Sequence, residues 1–169
     1  MPESYGGGDG AIVLARYSVG DAPALVEADR DAEHRQRFET PADHVASLAH
    51  AERVVARWQI EWDAGTRFGF AMREIAHGEV VGGCELRPLE ADGAALSYWT
   101  LARFRRRGFA ARAVRIACDL ARTQFGFRQL EAEVDADNVA SQRVVQRVGF
   151  TAHVPRSQRL RFVCALPAP

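Results

Sequence analysis

The chain has 169 residues, 47% of them hydrophobic, which is enough for one domain with a real core. Its 22 basic and 22 acidic side chains cancel, so no global field draws it onto nucleic acid or an anionic membrane, and no apolar run approaches membrane-spanning length. Cys84, Cys118 and Cys164 are odd in number and widely separated, which fits free thiols in a reducing cytoplasm better than a disulfide framework or a zinc site.

The polar, glycine-rich start, Met1 to Gly10, is expected as a disordered leader without a secretory signal, leaving 11–169 as a single domain. Ala11 to Tyr17 suits a first strand, and Asp21 with Pro23 behind it opens a short helix through Ala28. Asp29 to Phe38 is charged and helical, hence a surface element. Thr40-Pro41-Ala42-Asp43 starts a longer helix whose apolar positions, Val45, Leu48, Ala49, Val54, Val55 and Trp58, recur to Trp62. The period then falls to two. Arg67 to Ile75, Glu79 to Leu89 and Ala94 to Leu101 read as strands joined by turns at His77-Gly78 and Asp92-Gly93, an antiparallel meander. A helix from about Gly108 to Gln124 carries Phe109, Ala113, Ile116, Ala117 and Leu120 on one face. Leu130 to Val134 is a strand, Asn138 to Val148 a helix closed by Gly149, and Arg159 to Leu166 a last strand. Strand–helix–strand order in this half predicts a crossover with parallel pairing in mid-sheet. The fold class is α+β.

Between the strand ending at Leu101 and the helix opening near Ala110 lies Arg105-Arg106-Arg107-Gly108-Phe109-Ala110. A helix's first turn has backbone N–H groups without intrahelical partners, and the macrodipole adds partial positive charge there. Gly108 lets a ligand approach the backbone with no Cβ in the way, so a pyrophosphate is the natural guest. All 22 basic residues are arginine, so the protein has no lysine to be acylated. The cluster Arg103, Arg105, Arg106 and Arg107 sits in a chain of balanced total charge, so a cofactor's phosphate accounts for it better than nucleic acid does.

The Arg105-x-x-Gly108-x-Ala110 loop after the strand carrying Tyr98-Trp99, with Asn138-x-x-Ser141 and Gly149-Phe150 about thirty residues on, resembles the acyl-CoA-binding core of the GNAT superfamily of N-acetyltransferases. The Tyr-Trp strand and the Asn-x-x-Ser…Gly-Phe ending look like its RimJ/RimL branch, the ribosomal-protein N-terminal acetyltransferases. The resemblance implies a mixed, mostly antiparallel central sheet of about six to seven strands with flanking helices. The fourth and fifth strands would splay at a bulge to form the cofactor cleft. It implies acetyl-CoA as donor, with no metal, and an amine acceptor that is a protein N-terminus or a small molecule, attacked directly in a ternary complex. A CoA-binding sensor or scaffold without catalysis is the alternative, and a homodimer is common among relatives. The pyrophosphate would rest on the backbone of Arg105, Arg106, Arg107, Gly108, Phe109 and Ala110. Pantetheine would run beside Trp99, Thr100 and Leu101 and meet Asn138, with an N–H around Trp99 or Thr100 polarising the acetyl carbonyl.

The same resemblance puts Ser141 near the cofactor sulfur, as a donor to the departing thiolate; the alternative is that it is simply the N-terminal cap or a first-turn serine of its helix. Many branches carry a tyrosine four positions later, where this chain has Val145. It carries Ala95 where relatives often have a carboxylate, leaving Glu85, Asp135 and His153 as candidate bases, with Glu85 first. Arg106 stands where close relatives usually have glycine, and its side chain either reaches the 3′-phosphate or is solvated. Trp58 and Trp62, four apart on one helical face, are expected to pack in a core or dimer face, and Glu61 between them could attract a cationic amine.

Overall fold

A computed structural model describes residues 6–41, 44 and 46–167. Strands β1 (Gly6–Gly8), β2 (Ile12–Arg16), β3 (Phe68–Glu74), β4 (Val80–Pro88), β5 (Gly93–Thr100), β6 (Gln129–Val134), β7 (Thr151–His153) and β8 (Leu160–Ala165) form one sheet in the order β1-β2-β3-β4-β5-β6-β8-β7. Every neighbouring pair is antiparallel except β5 and β6, the parallel pair expected from the crossover. The helices are α1 (Ala22–Arg30), α2 (Ala32–Arg37), α3 (Leu48–Asp63), α4 (Phe109–Thr123) and α5 (Val139–Val148).

Alternation along β3 divides the interior. Phe70 and Met72 enter the larger core together with Ala113, Ile116, Ala117 and Leu120 of α4. Ala71 between them faces a smaller cluster with Leu25 and Val26 of α1 and Ala51 and Val55 of α3. The face of α4 read from the sequence is the one that is buried. Its alanines let the helix lie close to the sheet, and the burial of Phe109, Ile116 and Leu120 is worth roughly 1.5–3 kcal/mol each. Trp62 stands edge-on to Phe68, Phe70 and Phe125 at the end of this core.

Eight strands replace the expected six to seven. The extra ones are short and have no hydrophobic alternation to betray them. Gly6–Gly8, inside the expected leader, pairs antiparallel with Val13–Ala15, and Gly7 backs directly onto Ile116 and Leu120. Thr151–His153 pairs with β8 and is exposed throughout. The helix expected from Thr40–Asp43 begins instead at Leu48, because Ser47 caps it: the Ser47 side chain accepts from the His50 amide at 3.3 Å. Residues 42, 43 and 45 of that expectation lie outside the described residues. Asp21 does precede α1, but its carboxylate turns back to the Ser18 amide (2.8 Å) and to the Arg73 guanidinium instead of capping the helix.

Candidate active site

β5 and β6 pair only from Gly93–Ala95 against Gln129–Glu131; beyond that they diverge. The expected splay is there, but without a bulge at β5: the β4–β5 register runs unbroken from Gly82↔Thr100 to Pro88↔Ala94, and the one irregularity nearby lies in β3 at Met72/Arg73. Backbone groups alternate between the two edges of a strand. The Gly93 carbonyl accepts from the Leu89 amide, and the Leu101 amide donates to the Val81 carbonyl, so odd-numbered residues of β5 face β4. Tyr98 and Thr100 therefore present their N–H and C=O groups to the gap. The Trp99 amide is turned toward β4. Leu101 is turned away as well: its amide is spent on Val81 and its side chain is 2% exposed.

The gap runs up to the basic loop. Gly108 caps α4 at φ 81, a left-handed conformation that glycine takes freely, and the Phe109 and Ala110 amides lead the helix. The loop's side chains do not all join in. Arg105 is bound to Asp31 and to Glu33 (2.7 Å), so it braces α2 against the loop. Arg107 lies over the Phe104 ring at 5.2 Å. Arg106 is exposed, makes no ion pair among the described residues, and sits at φ 61.

On the far wall Asn138 is the N-cap of α5, and its Oδ1 accepts from the Ser141 amide at 3.1 Å. Ser141 is thus the third residue of the helix rather than its cap. Its hydroxyl meets the Tyr98 hydroxyl, which reaches across from β5, at 2.6 Å. Burial pushes the Tyr98 phenol up to about 12. Tyr98 was legible only as part of a motif; its pairing with Ser141 needs the fold. Val145, one turn on from Ser141, is fully buried. A tyrosine there would have to displace core, and the phenol at this site comes from β5 instead.

Successive side chains of a strand point to opposite faces. Tyr98 points to α5, and Trp99 points to the face carrying α1 and α3. Gly83 opposite Trp99 leaves room for it, since a Cβ there would lie 1.9 Å from the Tyr17 hydroxyl and 2.6 Å from Trp99 Nε1. Tyr17, Trp58, Arg67 and Glu85 wall this side of a cleft of about 1910 Å³ that also takes in the loop and the head of α5. Trp58 packs on Tyr17 with ring centroids 4.9 Å apart and lies under the Arg67 guanidinium at 4.4 Å. Trp62 is buried in the larger core, and Trp58, partly buried, packs against the smaller one while also lining the cleft.

Both oxygens of Glu85 are held by guanidinium groups, one by Arg67 and the other by Arg87 at 2.9 Å. A carboxylate so engaged accepts a proton only by giving up ion pairs. Asp135 is likewise tied to Arg37 (3.1 Å) and Arg159 (2.9 Å), and Glu61 to Arg57 and Arg67 (both 3.6 Å). His153 lies on exposed β7, outside the cleft. Of the sequence's candidates the cleft brings together Glu85, Trp99, Thr100, Arg105, Arg106, Gly108, Phe109, Ala110, Asn138 and Ser141; Leu101 and Arg107 are not among its walls.

The acetyltransferase (GNAT) domain family matches residues 12–151. The chain belongs to that family. This GNAT protein is an acyl-CoA-dependent N-acetyltransferase, and acetyl-CoA is its donor. Among solved structures it is similar to RimJ of Mycobacterium smegmatis in complex with CoA-disulfide (TM-score 0.79, 19% identity, 91% of this chain and 81% of that one). It is similar to a ribosomal-protein-S5-alanine acetyltransferase from Vibrio fischeri (0.81, 12%, 96% and 97%). The microcin C7 self-immunity acetyltransferase MccE, in complex with acetyl-CoA and AMP, matches at 0.80 and 14%, over 98% and 97%. Nothing among curated proteins matches the chain. Among the described residues of this acetyltransferase no cluster of His, Cys, Asp or Glu could hold a metal, and no helix is long and apolar enough to cross a membrane.

Proposed function

We propose that the protein transfers the acetyl group of acetyl-CoA directly to a primary amine, of a protein N-terminus or a small molecule, in a ternary complex. The observation that carries this is the unpaired edge of β5. It leads from the phosphate loop past the Thr100 and Tyr98 amides to the Tyr98–Ser141 hydroxyl pair. The pyrophosphate sits on the amides from Arg106 to Ala110, and pantetheine extends the sheet as an added strand in the gap. The Thr100 N–H faces the acetyl oxygen and strengthens its hydrogen bond as charge develops there. Asn138 has its carbonyl committed to the helix cap, so it meets pantetheine through its NH₂ group.

As the amine nitrogen bonds to the acetyl carbon and the C–S bond breaks, negative charge gathers on sulfur. With Tyr98 donating to Ser141 Oγ, the serine O–H is free to point at that sulfur. A phenol held at about 12 gives up no whole proton to a thiolate of ordinary pKa near ~8.5. The pair therefore works as a hydrogen-bond donor, and CoA leaves as a thiolate. No acyl-cysteine forms: Cys84 is buried, and burial pushes its thiol far up.

Thiol release is to be followed with peptides bearing free N-termini and with a panel of small amines, alongside CoA binding. Acetylated product with at least one class is expected. Saturable CoA binding with no release on any amine would overturn the reading.

A further inference from the structure

We propose that His34 is the general base that takes the proton from the attacking amine. The inference rests on the acetyltransferase reading above and supplies the group it still lacks. His34 lies on α2, which crosses the mouth of the cleft. Its ring stacks on Phe38 at 4.6 Å and stands edge-on to Trp99 at 5.4 Å. It thereby reaches the residue next to Thr100, on the face of β5 opposite Tyr98 and Ser141. The base and the thiolate-facing hydroxyls then flank the thioester from two sides, as a displacement requires when the amine enters from one and sulfur departs from the other.

Most carboxylates of the cleft wall are already held by a cationic or histidine partner. Glu85 is held by two arginines, Asp135 by Arg37 and Arg159, Asp31 and Glu33 by Arg105, and Glu131 by Arg161 and Arg156. Asp29 pairs with His44 at 2.8 Å, and His50 meets the His44 ring edge-on. The Tyr17 hydroxyl is buried and pushed far up, which leaves it no base at neutral pH. The His34 nitrogens make no hydrogen bond or ion pair among the described residues; the His50 ring has none either, but its ring contact is with His44, whereas that of His34 is with Trp99 of β5.

The elements packed around His34 keep it neutral. Burial is the largest influence and lowers its pKa below 6.5; Asp29 of α1 and Asp31 of the α1–α2 link oppose this, and Arg105 of the phosphate loop adds to it. Trp99 of β5 and Phe38 of its own segment bring no charge. At pH 7 the imidazole is a free base facing the cleft. The proton it takes is the one the amine nitrogen loses on forming the amide bond, and it returns to solvent once the product leaves.

His34→Gln keeps the size and removes the base. With an amine the wild type accepts, kcat should fall about 10²-fold while CoA binding holds. The wild-type to variant ratio should rise with pH along a limb below 6.5. An NMR titration of the His34 ring in the wild-type protein should give the pKa of that limb, a measurement indifferent to how well the variant folds. A variant within about threefold of wild type, a pH limb that survives the substitution, or a ring pKa away from the kinetic one would each overturn the assignment. If the wild type turns over no amine, the acetyltransferase reading fails and this falls with it; an active wild type with an indifferent His34→Gln sinks this inference alone.

Discussion

Arg106 holds a left-handed backbone conformation at φ 61 on a side chain that is exposed and makes no ion pair among the described residues. For a residue with a Cβ that conformation costs on the order of 1 kcal/mol. Arg106→Gly should therefore raise stability by about 0.5–1 kcal/mol, a rise of roughly 2 °C in the unfolding midpoint for a chain of this size. Arg106→Ala keeps the strain and should show no such gain. If neither variant weakens CoA binding at low salt, the side chain is a solvated one; a shared, salt-sensitive loss places it on a phosphate. Ser141 and Tyr98 answer a different question. Ser141→Ala should lower kcat about 10²-fold, as removal of one donor from developing charge does, with CoA affinity unchanged. Tyr98→Phe should lower it less, since Ser141 Oγ survives and only its orientation is lost. Steady-state kinetics on both, beside the double variant, would show whether they act as a unit; strictly multiplicative losses would mean that they do not.

At the scale of elements, α2 is the unusual one. No residue in it is fully buried, although His34 is half-buried, and ion pairs at both ends hold it over the cleft: Asp31 and Glu33 to Arg105 on one side, Arg37 to Asp135 (3.1 Å) and Asp137 (2.5 Å) on the other. Exposed pairs add little to global stability, commonly below about 1 kcal/mol, yet they can decide how often a segment lifts. Arg37→Ala should speed amide exchange in residues 32–37 about tenfold, leave exchange in β3 to β5 unchanged, and raise the acceptor KM. High salt should do the same to the wild type; equal exchange in both proteins would show that something else holds α2 down. The sequence made α2 visible as a charged surface helix but not as a strap, because nothing in its spacing says that Arg37 meets Asp135 or that His34 reaches Trp99. What periodicity does encode came through: the α4 face, the β3–β5 meander and the parallel step to β6. The loop and Ser141 were legible as motifs. The direction of the Thr100 amide was not, since it depends on register with β4. Nor was β1, three glycines without a side chain to pattern.

Over the whole molecule, the titratable groups whose pKa moves on folding bracket a stability window. His34 is depressed below 6.5 by burial, so the folded state binds fewer protons than the unfolded one as pH falls through 6.5. Its contribution is complete above that value and is lost on acidification toward its folded pKa. Glu131, lowered chiefly by its hydrogen bonds to Arg161, follows at lower pH, below 4.5. The alkaline side has the opposite sign. Cys84 and Cys118 are raised above 9.0 by burial, Cys118 to about 12, and Tyr98 above 10.0. Each is neutral in the fold and ionised in the unfolded chain, so their contribution is whole below about 9 and falls as pH rises beyond it. Stability should thus be flat between about 6.5 and 9 and decline on both flanks. The flanks have different owners, and two substitutions separate them. His34→Gln should leave the midpoint near pH 7.5 almost unchanged while shrinking its drop between pH 7.5 and 5.5. Cys118→Ala, at a half-buried site, should cost little at pH 7.5 but shrink the drop toward pH 10. Thermal unfolding of the three proteins at pH 5.5, 7.5 and 10 distinguishes these outcomes, and a His34→Gln acid flank as steep as wild type would mean that this imidazole titrates as it does in solvent.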